Sequence, residues 1–396
     1  MAWSPQFLHG RTTIRSGFGL YKGEGQLGDL IAPNDNWTQG ATLTPASFPG
    51  LSFPADALYP LAPATQATPR GLTRDRVDPA VEQWGLQVQT VLPAGFILDT
   101  GYVGYHGYHQ FARSSVNGLD PITGLRQLPA FGSIDVKSTT GNNHFHAWQT
   151  SLQRRFRSGA SFSVNYMWSH SINDGTNGGR EADYIQNVSC RTCDVGSSDF
   201  YVRHVLSTNS VYELPFGKGR RYFNNGKAAN FLLGGWQFSG ILSARSGNPV
   251  NVITTRAASS LPDGIALQDA GVYTRPDYVG GVSIVPANQN INNWINVAAF
   301  ATPKDGTWGN AGRNLIRGPR FWQSDLSLTK GFPITERIVL DFRADAFNAF
   351  NRAQFGDPSG NLSSPSFGQI TTTVNGTAAT GSGTPRQFQF SMRLHF

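Results

Sequence analysis

The last ten residues of the chain alternate without a break. Phe388, Phe390, Met392, Leu394 and Phe396 share one parity, while Gln387, Gln389, Ser391, Arg393 and His395 share the other. A period of two is the mark of a β-strand, whose successive side chains point to opposite faces. Here one face is wholly apolar and the other wholly polar. One side of the strand must therefore meet an oily medium while the other meets water or a polar lumen.

The same split recurs upstream. Ile338, Leu340, Phe342, Ala344 and Ala346 oppose Asp341, Arg343 and Asp345, and Trp322, Leu326 and Leu328 oppose Gln323, Asp325, Ser327 and Thr329. A tight turn around Phe332 and Pro333 joins these two segments. Phe162, Val164, Tyr166 and Trp168 oppose Ser161, Ser163, Asn165 and Ser169, and the segment before them sets Trp148, Leu152 and Phe156 against Gln149, Ser151, Gln153 and Arg155. Trp84, Leu86 and Val88 oppose Gln83, Gln87 and Gln89, followed by a strand near Phe96 to Tyr105. Thr12 to Lys22, Val202 to Leu214 and Trp236 to Gly247 complete a set of about ten strands, with ends good to a few residues.

The connections carry as much information as the strands. Leu92 to Gly95, Arg157 to Ala160 and Gly331 to Thr335 are short, and Pro215 to Gly235 is intermediate. Gly23 to Pro79, His106 to Phe145, Ser171 to Tyr201, Asn248 to Arg320 and Asn351 to Pro385 are long, and the two kinds alternate along the chain. Every long connection thus falls at one end of the strands. A soluble sandwich has no physical reason for this, whereas an outer-membrane barrel has short periplasmic turns and long external loops. Ten residues at about 3.3 Å each, tilted by about 45°, climb roughly 23 Å, close to the apolar band of such a barrel. Trp84, Trp148, Tyr166, Trp168, Tyr212, Trp236 and Trp322 read as interfacial aromatics, since the opposing faces lack the apolar partners of a sheet packed on both sides. The expected fold is all-β, an antiparallel transmembrane β-barrel of which residues 1–396 supply a part.

Composition fits this reading. Charged residues make up 14% of the chain and 45 residues are glycine, against a usual charged share near 25%. Solvated helices need more charge than this, and 39% hydrophobic residues are too many for intrinsic disorder. The formal net charge of +7 comes from cations scattered singly, not massed along one element, so nucleic acid is not an expected partner. No run approaches the roughly 18 apolar residues of a membrane helix, which leaves barrel strands untouched because they alternate. The start, Met-Ala-Trp-Ser-Pro, lacks a charged region followed by an apolar one, as a signal peptide would have.

Candidate sites are few. Cys190 and Cys193 are the only cysteines; they fall in an expected external loop, where a local disulfide fits better than a zinc site short of ligands. His106, His109, His144 and His146 bracket one expected loop and read as solvated loop histidines, because no carboxylate shell for a metal is visible there. Gly23 to Gly28 matches a dinucleotide fingerprint, but Pro33 and polar loop residues follow where a helix is required. Asp325, Asp341, Arg343, Asp345 and Arg393 sit on the polar parity and read as lumen-facing charges paired across strands. The two aspartates of one strand, about 13 Å apart, are too distant for a glycosidase pair. No Gly-x-Ser-x-Gly elbow with a triad and no His-Glu-x-x-His occurs, so neither an enzyme nor a cofactor is expected.

Three stretches carry a family likeness: Arg317-Gly-Pro-Arg-Phe-Trp-Gln-Ser-Asp-Leu-Ser-Leu-Thr-Lys330, Arg343-Ala-Asp-Ala-Phe-Asn-Ala-Phe-Asn351 and the closing Pro385-Arg-Gln-Phe-Gln-Phe390. Asn314 to Phe396 resembles the C-terminal end of TonB-dependent outer-membrane receptors, especially the Oar-like branch. Leu214-Pro-Phe-Gly-Lys-Gly-Arg220 and Ile14 to Tyr21 share the flavour. The resemblance implies a barrel of about 22 strands around a plug, substrate entry through the outer loops, and energy supplied through the TonB complex. With no plug-like segment or TonB box found, the chain is expected to be a C-terminal barrel portion that meets TonB only through the missing plug. Outer-membrane lipid is an expected partner. Phe388, Phe390, Met392, Leu394 and Phe396 resemble the signal by which the barrel-insertion machinery recognises its clients. A non-transporting surface or adhesion protein is the second reading, and a soluble carbohydrate-binding sandwich the third.

Overall fold

The computed structural model describes residues 1–8, 10–23, 69–120, 122–132, 134–175, 185–224, 226–257, 260–262, 274–335, 337–375 and 382–396. Ten long strands dominate: β1 (Thr12–Lys22), β2 (Ala80–Val91), β3 (Phe96–Val116), β4 (Ile134–Arg157), β5 (Ala160–Asn173), β6 (His204–Glu213), β7 (Trp236–Arg245), β8 (Phe321–Pro333), β9 (Val339–Phe347) and β10 (Gln387–His395). Each pairs antiparallel with the next, in chain order. Three short strands, Ala2–Trp3, Arg70–Leu72 and Gly196–Ser197, complete a 13-stranded sheet. Among the described residues this sheet is open between the Ala2–Trp3 edge and β10.

Local chemistry sets the hairpins. Between β4 and β5 only Ser158 and Gly159 intervene, with φ of 53° and 78°. Two central residues with positive φ define the turn whose twist matches that of paired strands, and glycine reaches it without a Cβ clash. Pro93–Gly95 forms a 3-10 turn between β2 and β3. The β8–β9 turn lies later than the sequence suggests, because Phe332 and Pro333 still pair with Leu340 and Val339. There the Thr335 hydroxyl accepts from the Ile338 N–H at 3.1 Å and closes the bend.

Register lines the apolar residues into one continuous face. Phe388, Phe390, Met392 and Leu394 stand opposite Ala346, Ala344, Phe342 and Leu340, and the rows run on through Leu326 and Leu328 to Gly240 and Phe238. Among the described residues no protein layer covers this face: on interior strands Leu86 is 50% exposed, Trp148 47% and Trp168 56%. A water-soluble monomer does not tolerate an apolar surface of such extent.

The packed core lies elsewhere, in the connections at the long-loop end. Val250, Val252, Ile295, Ala299, Phe300, Ala311 and Ile316 form a buried cluster, with Trp294, Leu362 and Phe367 packed on it. The loops therefore fold into a cap with its own apolar kernel. Near Gly309 the chain segments approach so closely that a Cβ there would collide with the Arg275 carbonyl oxygen.

Candidate functional site

Two regions present chemistry: the polar face of the sheet and the cap above it. On the polar face of β1 to β4, Arg15 donates to Gln89 (3.2 Å), while Gln87 and Gln89 donate to the Asp99 carboxylate (2.6 and 3.3 Å). Arg15, Gln87 and Asp99, with Gln149, Ser151 and Gln153, border a concavity of about 910 Å³. Parity alone would have assigned Arg15 and Asp99 to this face.

The five charges expected here share that parity, but their pairing differs from the expectation. Asp341 stands opposite Arg393 in register, yet its carboxylate meets His395 Nε2 at 2.8 Å. Arg343 bonds Asp345 on its own strand, two residues on, at 2.9 Å. Asp325 accepts from the Gln323 side chain (2.9 Å) and the Asn348 N–H (2.8 Å), and so anchors the start of the β9–β10 connection. Same-face neighbours on one strand, about 6.6 Å apart, lie only a little farther off than cross-strand neighbours, so a long arginine side chain has both choices.

The histidines correct another expectation. His106, His109, His144 and His146 lie on strands, because the β3–β4 hairpin continues to Val116 and Ile134 and the connection shrinks to residues 117–133. Residues beyond the lipid band have no oily medium to face, so the alternation that marks a strand fades there while the ladder persists. Rings of His106 and His144 stack at 4.2 Å, and Tyr102 Oη meets His146 Nδ1 at 2.6 Å. Among the described residues no cluster suited to a metal ion occurs. The glycine-rich match after Gly23 lies outside the described residues.

In the cap, a disulfide joins Cys190 and Cys193 across a 3-10 turn, Arg191–Asp194. That turn delivers Asp194 to a buried ion pair with Arg275, whose side chain also donates to the Ala311 carbonyl (2.8 Å) and the Cys193 carbonyl (2.9 Å). The Gln186 N–H donates to the same carboxylate at 2.9 Å, and the Gln186 side chain reaches Gly309 O at 3.1 Å. A second buried pair, Arg113 with Asp135, ties β3 to β4 above the lipid band. Buried charges of this kind persist only when paired and hydrogen-bonded, so the β5–β6 and β7–β8 connections are locked together. No local sequence pattern announces Arg275 or Asp194.

An open-ended polar face, an uncovered apolar face and a cap of long loops at one end are the parts of a membrane barrel. A family model described as Outer membrane beta barrel domain matches residues 1–389. The chain belongs to this family. It is thus an outer-membrane barrel protein of the Gram-negative type, and its apolar band faces lipid. No curated protein sequence matches it. Among solved structures it is similar to the outer membrane transporter YddB from Escherichia coli, at 12% identity and a TM-score of 0.53, over 100% of this chain and 39% of that one. It also resembles the ferric-catecholate import receptor Fiu from E. coli K12 (10% identity, TM-score 0.43, 98% and 33% covered). A third is FpvA of P. aeruginosa (9%, 0.41, 97% and 31%). The chain therefore spans well under half the length of these proteins, and the likeness to YddB concerns the fold alone.

Proposed function

We propose that the chain is the C-terminal barrel portion of a TonB-dependent receptor of the Oar-like type, and that the intact protein takes up a substrate caught by its external loops. The observation that carries this reading is the cap: at one end of the strands the β7–β8 and β9–β10 connections share a buried apolar kernel, and a buried ion pair ties the β5–β6 connection to them. Loops that only joined strands would not need such order. The TonB-box and plug functions belong to the rest of the intact protein. In cells producing the intact receptor, some component of the growth medium is expected to be depleted faster than in a deletion strain, and only while the TonB complex is present. Depletion equal in both strains overturns transport and leaves the adhesion reading.

The terminal strand has a separate role in this proposal. Among the described residues β10 pairs only with β9, leaving its other edge free. Such an edge, with aromatic residues at fixed parity, can add as a strand to the sheet of the barrel-insertion machinery. Deleting Phe396, which is 98% exposed, is expected to remove most of the folded, heat-modifiable barrel from outer-membrane fractions of the intact receptor. An unchanged heat-modifiable band refutes the signal.

A further inference from the structure

A groove of about 940 Å³ lies at the outer ends of β6, β7 and β8. Its floor is built by Leu206, Ala244 and Trp322, which stand side by side in register, and by Leu242 beside Ser324. These residues share the parity of Leu326 and Leu328, so the floor belongs to the lipid-facing surface. Its upper rim is different in kind: Arg203, Arg317 and Arg320 line it, and Arg245, of the opposite parity, borders it from the polar side.

Arg203, Arg245 and Arg317 are held by neutral groups. Arg203 Nε donates to Tyr201 Oη at 3.0 Å. Arg317 donates to the Tyr201 carbonyl at 3.0 Å and lies 4.3 Å over the Tyr201 ring. Arg245 donates to Asn248 Oδ1 at 2.7 Å, and Asp357 reaches this arginine only through the Asn248 amide. Among the described residues none of the four has a carboxylate at ion-pair distance. Burial, and to a lesser extent the neighbouring Arg203 charge, lowers the Arg317 pKa from its ordinary value although the Tyr201 contact opposes this. Several cations at the edge of an apolar floor, with no counter-anion among the described residues, invite an anionic, oil-soluble ligand.

We propose that this groove binds a phosphate-bearing, acylated lipid of the outer leaflet, with an acyl chain on the Leu206–Leu242–Trp322 floor and the phosphate on the arginine rim. The strand ends place the rim at headgroup depth, where the available anion is a lipid phosphate. A guanidinium fork matches phosphate oxygens two at a time. The inference rests on the membrane placement of the sheet and not on transport.

The test uses the full chain folded in a neutral detergent, with heat-modifiable migration as the check of fold and native mass spectrometry as the binding readout. The probes are phosphatidic acid, diacylglycerol with the same chains, and inorganic phosphate. Phosphatidic acid is expected to bind about tenfold more tightly than diacylglycerol. The double variant Arg203→Gln/Arg320→Gln, at two exposed rim positions, is expected to lose about that factor. Ser324→Trp, which fills the groove without altering charge, should weaken phosphatidic acid binding as well. Equal binding of the two lipids by the wild-type chain overturns the proposal without any variant. So does full binding by folded double variant, or displacement of the lipid by inorganic phosphate at equal concentration, which would mark a free-anion site.

Discussion

An arginine at Leu328 is expected to destabilise the folded barrel by about 2 to 4 kcal/mol, the cost of placing a cation on the lipid face near the bilayer midplane. Leu328 lies between Phe238 of β7 and Ala344 of β9, in the middle of the apolar band, where a guanidinium has no short route to water. The same substitution one residue earlier, Ser327→Arg, is expected to be nearly neutral. Ser327 faces Ser239 and Asp345 on the polar side, where a new cation finds a carboxylate and water. Urea titration of the two variants folded in lipid vesicles measures the difference. Equal losses, or a larger loss for Ser327→Arg, would show that the sheet has its faces the other way round or does not span the bilayer at all. Because adjacent residues are compared, strand propensity and local stability cancel to first order, and the contrast reads the medium on each face.

This contrast is legible in the sequence because two media act on every spanning strand. Lipid on one side and water on the other enforce a period of two, which β10 shows over its whole length, β8 from Asp325 to Thr329 and β9 from Leu340 to Ala346. The turn between β4 and β5 is legible for a related reason, since Ser158 and Gly159 are the small residues that a two-residue connection requires. Legibility fades where only one medium is present. Above the membrane, β3 and β4 run on through His106 to Val116 and from Ile134 with no lipid to face and with polar residues such as Arg113, Asp135 and Lys137 buried, so no apolar parity separates their residues and the sequence reads as loop. The seven-residue helix Lys227–Leu233 in the β6–β7 connection escapes notice because it is too short to display a helical period. It nonetheless has a physical anchor: Phe231 packs on Phe332 with ring centroids 5.4 Å apart, while Lys330 donates to the Gly234 carbonyl just beyond the helix. The cap is least legible. Its kernel joins residues from Val250 to Ile316 with no repeat, and its buried pair joins residues 81 positions apart.

That pair is where the largest effect on the cap is expected. Arg275→Ala should destabilise the cap by about 3 to 5 kcal/mol, because it leaves the Asp194 carboxylate buried without its cation. The loss includes the hydrogen bonds to the Ala311 and Cys193 carbonyls, which water could replace only by entering the site. Asp194 itself retains the Gln186 N–H, too little to hold a charge away from solvent. The folded barrel should survive, since its ladder does not pass through Arg275, so heat-modifiable migration is expected to stay while limited proteolysis opens cleavage within residues 246–320. The double change Arg275→Met/Asp194→Leu should recover most of the protection, because replacing both charges by apolar groups removes the uncompensated one. A cycle built from the two single variants and the double one then gives the coupling directly. Protection retained in Arg275→Ala would mean that the apolar kernel around Val252 and Ile295 holds the cap alone. In that case the ion pair would serve only to set the mutual register of the β5–β6 and β7–β8 connections.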